Sequence, residues 1–409
     1  MLNETILQNY AKLIAVSGAN VQRGQEVVLY AQLDQPAFVA MVAEACYQAG
    51  ARAVRVEWSH QAIERLDAQY RTPEALGEVR EWEKARLQDM ADTLPCRIYL
   101  ESEDPDGLAG LDADKIAAAH QNKRRVAKPY RDRMEGRHQW CIAAVPGAAW
   151  ARKLFPDAAP AEAEERLWEA ILSASRALDG DPIANWEAHN RDLKARCDHL
   201  NSLGIAALRY TAGNGTDLRV GMMPRGRFRG GADVNRMGVR YNPNIPSEEV
   251  FISPMRGEAE GIVHSTMPLS YQSQLIEDFS IRFEKGRAVE VHAAKNEALL
   301  KKMIAMDENA AYLGECALVP YDSPIRSAGL LFYSTLFDEN AACHLALGAG
   351  YCDTLDRYEE LTLEECHQLG INDSILHCDF MIGSADLAID AETFGGKTVP
   401  IFRNGNWAF

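Results

Sequence analysis

Apolar positions in this chain recur with two periods, and the balance between them shifts near residue 200. Residues 25–31 (QEVVLYA) form a short apolar run of the buried-strand type. Residues 36–49 carry a helical pattern that stops at Gly50, a residue type suited to a C-cap. Residues 52–58 (RAVRVEW) alternate and predict a second strand. Strand, helix and strand at this spacing define a βαβ unit and a parallel sheet. A charged helix over 73–92, a strand at 97–101, a helix at 113–123, a strand at 139–144 and a helix at 159–178 extend the pattern.

A helix over 184–203 ends before Gly204. Beyond it the chain turns to short strands and turns, such as ALRYT, DLRVGM, VFISP and SIRFEKGRAVEVHA, with a few helices such as 295–306. The Gly213-Asn214-Gly215 stretch lies between two strand-like runs and predicts a hairpin. Asn404-Gly405 is a second turn signal. The expected fold is an α/β N-terminal domain with a parallel sheet over 1–190, followed by a mixed α+β domain over 191–409.

Charge and cysteines narrow the function. The 409 residues carry a net charge of −16, which argues against nucleic acid as a partner. The basic run Arg225–Gly231 (RGRFRGG) reads as a glycine-rich loop with solvated arginines. Nine scattered cysteines without a CxxC pair fit a reducing compartment. No apolar run is long enough to span a bilayer, so the expectation is a cytoplasmic protein without a membrane partner. No GxGxxG follows the first strand, no lysine phosphate loop is present, and no GxSxG elbow marks a serine hydrolase.

The candidate chemistry lies in the last third. Glu249, Glu315, His344, His377 and Asp379 each stand inside an apolar, small-residue segment. Burying such groups costs several kcal/mol each unless they are paired or bound to a cation. His377 and Asp379 are two apart in a strand-like run, which puts both on one face and turns Cys378 into packing. The same alternation separates Glu315 from Cys316. Small apolar filler is the expected role of these cysteines and of Cys343. Glu249 leads into Val-Phe-Ile, and Glu248 should face away from it. His344 is read as opening a helix capped by the preceding Asp or Asn, with Tyr351 two turns on along the same face. A tyrosine there could donate a hydrogen bond to a developing oxyanion. Carboxylates with two imidazoles suit zinc, cobalt or manganese, and such a set can hold two ions.

PSEEVFISP, LGE, LFDENAACHLALG with Tyr351, HCDFMIGS and PIFRNGNWAF together resemble the aminopeptidase T / aminopeptidase S family of metalloaminopeptidases. GANVQRGQEVVLYA, WCIAAVPGAAWA and GNGTDLRVG extend the resemblance over essentially the whole chain. It implies a dinuclear exopeptidase acting on peptides with a free N-terminus, usually a homodimer. By motif, Glu249, Glu315, His344, His377 and Asp379 match metal ligands. Glu339 matches a ligand or a residue just behind one, and Tyr351 an active-site tyrosine. The implied mechanism is attack by a water activated by two metals, with Glu315 or Asp379 as the shared carboxylate and Glu315 as base. The alternative is a non-catalytic metal- or peptide-binding member. Two stretches depart from the pattern: Tyr271-Gln272-Ser273 stands where a glycine pair is expected, and the arginine run at 225–231 is unfamiliar.

Overall fold

The computed structural model describes residues 3–409, which divide into two compact units. One runs to Glu187 and includes Ala232–Pro246; the other comprises Ala188–Gly231 and Ser247–Phe409.

The first unit is the expected α/β layer. Strands β1 (Glu26–Gln32), β2 (Ala53–Ser59), β3 (Cys96–Glu101) and β4 (Trp140–Ala144) are parallel, in the order β2-β1-β3-β4. The short strand Asn244–Ile245 returns from far along the sequence to extend the sheet beside β4. The first crossover helix, Pro36–Ala49, ends at Gly50 with φ 108°, the left-handed conformation that glycine adopts without steric cost.

Two helices differ from expectation. The charged stretch at 73–92 is two helices, Pro73–Gly77 and Glu81–Thr93. Gly77 packs so closely that an added Cβ would lie 3.2 Å from Ala119 Cα. The second helix restarts where the Glu83 carboxylate accepts from Arg80 N at 2.8 Å. The helix expected over 113–123 continues to Met134, with Pro129 inside it.

The second unit is β-rich. A nine-stranded sheet contains β5 (Ile205–Thr211), β6 (Asp217–Met222), β8 (Pro254–His264), β9 (Leu269–Tyr271), β10 (Gln274–Glu284), β11 (Arg287–Lys295), β15 (Ala388–Thr393), β16 (Thr398–Arg403) and β17 (Asn406–Trp407). A separate antiparallel sheet has the order β7 (Val250–Ile252), β12 (Leu313–Leu318), β13 (His344–Gly348), β14 (His377–Met381). The Gly213–Gly215 turn joins β5 to β6, and Asn404-Gly405 joins β16 to β17, both as hairpins.

The four-stranded sheet has two chemically distinct faces. Cys316, Leu318, Leu345, Leu347, Cys378 and Phe380 alternate onto one face and join the main core of this unit. Directly paired residues share a face, and Glu315, Ala346 and Asp379 form one row across three strands. His344, two residues from Ala346, and His377, two from Asp379, fall on that same face. Alanine and glycine fill the positions between them (Ala317, Ala346, Gly348), which leaves room for the larger ionisable groups.

Candidate metal centre

Every residue of the sequence-derived set lies in the β-rich unit. Glu315 comes from β12, His344 from the start of β13, and His377 and Asp379 from β14. Glu249 stands immediately before β7, and Glu339 opens the one-turn 3-10 helix Glu339–Ala341 just ahead of β13. Exposure is 9 % for Glu249, 4 % for Glu315, 1 % for His344 and 7 % for Asp379.

Two groups form with metal-ligand spacing. Glu249, Glu315 and His344 bring one donor atom each within 4.8 Å of one another, and so do Glu315, His377 and Asp379. Glu315 belongs to both. His344 Nε2 lies 3.2 Å from Glu249 Oε2. His377 Nε2 lies 3.3 Å from both Glu315 Oε2 and Asp379 Oδ1. Glu339 belongs to neither group; its Oε1 accepts from Asn340 Nδ2 at 3.3 Å.

Each imidazole is oriented from behind. His344 Nδ1 is 3.2 Å from the Ala342 carbonyl, and His377 Nδ1 is 2.8 Å from the Ala349 carbonyl. A carbonyl can only accept, so each Nδ1 donates and each Nε2 is turned to the site. That is how histidines are set when they coordinate metal.

The electrostatics fit a cation. Glu249, Glu315, Glu339 and Asp379 face two imidazoles, so the carboxylates outnumber the rings even if both rings are protonated. Asp379 Oδ1 is buried without a hydrogen bond of good geometry. Burial pushes the Glu315 carboxyl up to about 7; His377 opposes this, and Glu249 and Asp379 add to it. Desolvation would lower His344, but the Glu249 contact outweighs it and holds the ring at about 10. His377 is raised well above its ordinary value because Asp379 and Glu315 overcome desolvation. Asp379 is held low by His377 against its own desolvation. Desolvation, then repulsion from Asp379 and Glu249, raises Glu339 well above the carboxylate range. The imidazoles thus carry positive charge that a bound cation would supply.

Tyr351 reaches the site by a different route from the one expected. His344 begins a strand, not a helix, so no helical face links the two residues. The His344–Gly348 run is buried throughout and pairs on both edges, with β12 and β14, which overrides the capping signal before it. Tyr351 lies just beyond the strand end, and its hydroxyl is 3.0 Å from His377 Nε2. The ring is 42 % exposed and meets Phe251 edge-on at 5.7 Å. Desolvation and then the surrounding carboxylates, Glu315 first, hold its hydroxyl well above the ordinary tyrosine value.

The cysteines take the packing role. Cys316, Cys343 and Cys378 are buried in the core, and burial pushes the first two thiols up to about 12. Glu248 does turn away from Glu249 but is itself buried, with Oε2 4.0 Å from His189 Nε2. The sequence reading missed three supports. Asn340 Oδ1 accepts from Glu248 N at 2.6 Å, Ser253 Oγ accepts from Tyr351 N at 2.8 Å, and Thr354 Oγ1 donates to the Tyr351 carbonyl at 2.6 Å. Lone serine, threonine and asparagine residues in loops carry no sequence signal of such roles.

The β-rich unit holds buried carboxylates and back-oriented imidazoles at metal-ligand spacing, and the chain also carries a parallel α/β unit. The chain belongs to the family described as "Thermophilic metalloprotease (M29)", which it matches over residues 3–407. It is 41% identical to Aminopeptidase AmpS of Bacillus subtilis, and the match covers 98% of each chain. Aminopeptidase T of Thermus thermophilus is 38% identical, again over 98% of each. The solved structure of wild-type AmpT from Thermus thermophilus superposes with a TM-score of 0.90 at 37% identity, covering 99% of this chain and all of that one.

Proposed function

We propose that the protein is a two-metal aminopeptidase that hydrolyses the first peptide bond of peptides with a free N-terminus. One observation carries this reading: Glu315 is common to two donor groups, as a carboxylate shared between two ions would be. Glu249, Glu315, His344, His377 and Asp379 are the proposed holders of the ions, and zinc, cobalt or manganese suits that donor set. When bound, such a pair supplies Lewis acidity that acidifies a water and polarises a carbonyl.

The chain's own residues divide the remaining work. A carboxylate held by two cations is a weak base, so Glu315 is better suited to holding the ions than to moving protons. Glu339, which belongs to neither donor group, is the proposed base. It takes the proton of the attacking water and returns it to the departing amine. Tyr351 donates a hydrogen bond to the oxygen that becomes negative as water adds to the carbonyl. A carboxylate beside the ions can accept a hydrogen bond from the free amino terminus of the peptide, which favours exopeptidase action.

The relatives' names, Aminopeptidase AmpS and Aminopeptidase T, support this substrate class. We also propose a cytoplasmic homodimer. Nine scattered cysteines, buried except for the half-buried Cys352, support a reducing compartment, and the dimer follows from the family resemblance.

Release of p-nitroaniline from leucine p-nitroanilide tests the reading, after EDTA stripping and again after adding back cobalt or zinc. Restored turnover is expected in the wild type. Glu339→Gln should keep its metal and lose turnover, whereas Glu315→Gln should lose both. Loss of metal from Glu339→Gln would make Glu339 a ligand and remove it as the base.

A further inference from the structure

The arginine-bearing run at 225–231 is not a solvated loop. Arg225, Arg227 and Arg229 are all partly buried, and each is hydrogen-bonded. The run lies between two segments that carry site residues. On one side Arg229 and Phe251 exchange backbone hydrogen bonds of 2.9 and 2.8 Å, which joins the run to β7, directly after Glu249. Gly230 lies against Glu249 itself, since an added Cβ would fall 2.5 Å from the Glu249 carbonyl oxygen. On the other side the run holds the turn that follows Tyr351. Arg229 Nε donates to the Asp353 carbonyl at 2.8 Å, and Arg227 N to the Thr354 carbonyl at 2.7 Å. Arg225 Nη2 donates to the Asp356 carbonyl at 2.6 Å, and Asp356 N returns a bond to the Arg225 carbonyl at 2.8 Å.

The run is anchored in its own right. Phe228 is buried, and its backbone makes two hydrogen bonds to the Asn201 side chain, at 2.8 and 3.0 Å. The Arg229 guanidinium also lies 6.0 Å over the buried Tyr358 ring.

We propose that this run is a brace that fixes Tyr351 relative to Glu249, with Arg229 as its positioning residue. The Arg229 guanidinium is engaged by the Asp353 carbonyl and the Tyr358 ring. It acts by tying β7 to the turn whose backbone carries Tyr351, so that the phenol meets His377 in one geometry. A guanidinium suits this role because it can donate to a carbonyl while its flat face packs on an aromatic ring. Small misplacements of a reacting group are costly, on the order of 100-fold for 1 Å.

The inference rests on the proposed role of Tyr351 in turnover, so its test has an arm that does not depend on activity. Hydrogen exchange over 351–358 is compared between the metal-loaded wild type, Arg229→Ala and Arg229→Lys. Arg229→Ala should exchange about tenfold faster there, with 377–381 unchanged, and Arg229→Lys should recover part of the protection. In kinetics Arg229→Ala should lose about tenfold in kcat, with KM and metal content within about twofold of wild type. Combined with Tyr351→Phe it should be no slower than Tyr351→Phe alone. Unchanged exchange over 351–358, or losses that multiply in the double variant, would overturn the brace. A metal-loaded wild type without turnover would instead refute the aminopeptidase reading, and the exchange result would still decide whether the brace exists.

Discussion

The Tyr351 hydroxyl lies 3.0 Å from His377 Nε2, the same nitrogen that faces Glu315 and Asp379 at 3.3 Å. A phenol at that point can serve an oxygen that gains charge only during the reaction. Tyr351→Phe should therefore lower kcat by about 100-fold, the scale of a lost oxyanion donor, with little change in KM. Metal content should remain at the wild-type level, since the change leaves all five carboxylate and imidazole donors in place. Parallel loss of metal would make Tyr351 part of the binding set instead.

His138 sets a pH dependence in the α/β unit, which carries none of the candidate metal-site residues. It is buried, accepts from Arg97 Nε at 2.8 Å through Nε2, and has Nδ1 3.1 Å from the Met134 carbonyl. Desolvation, then the positive Arg97, pushes its pKa from 6.5 down to about 4. The stability tied to its neutral form is complete above about pH 6.5. It falls as pH drops toward 4, because the unfolded chain takes up a proton that the folded one resists. The full loss is about 3 kcal/mol. The advantage in melting temperature of wild type over His138→Gln should shrink between pH 7 and pH 4; a constant difference would contradict this.

A second stability test lies in the turn between β9 and β10. Gln272 and Ser273 have φ of 51° and 57°, and the flanking Tyr271 and Gln274 pair directly. Both central residues of a two-residue turn are thus left-handed, a geometry that favours Asn-Gly. A non-glycine residue held there costs about 1 kcal/mol or more. Replacing Gln272-Ser273 with Asn-Gly should raise the denaturant midpoint of the β-rich unit without altering turnover. A lower midpoint would show that the side chains contribute contacts that outweigh the backbone strain.

Local patterns in the sequence carried much of this architecture. Apolar runs and caps marked the parallel strands and the Pro36–Ala49 helix, because a buried strand and a helix C-cap leave composition signals. Alternation alone placed His377 and Asp379 on one face of β14 and Cys378 on the other. Errors arose where distant pairing decided the outcome. The residues before His344 look like a helix start, but two neighbouring strands claim the segment. The arginines of 225–229 look solvated until the carbonyls of Asp353 and Asp356 are seen opposite them. The return of Asn244–Ile245 to the parallel sheet likewise depends on a partner about a hundred residues earlier. The nearness of Glu249 to His344 could be proposed only through shared chemistry, since nothing local links positions so far apart.

The central claim is that two divalent ions, sharing Glu315, are required for turnover. Metal content and leucine p-nitroanilide hydrolysis should be measured together as cobalt or zinc is titrated into stripped protein. The account predicts no turnover in metal-free protein and activity that reaches its plateau only at about two ions per chain. Full turnover in verified metal-free protein, or a plateau at a single ion, would contradict it.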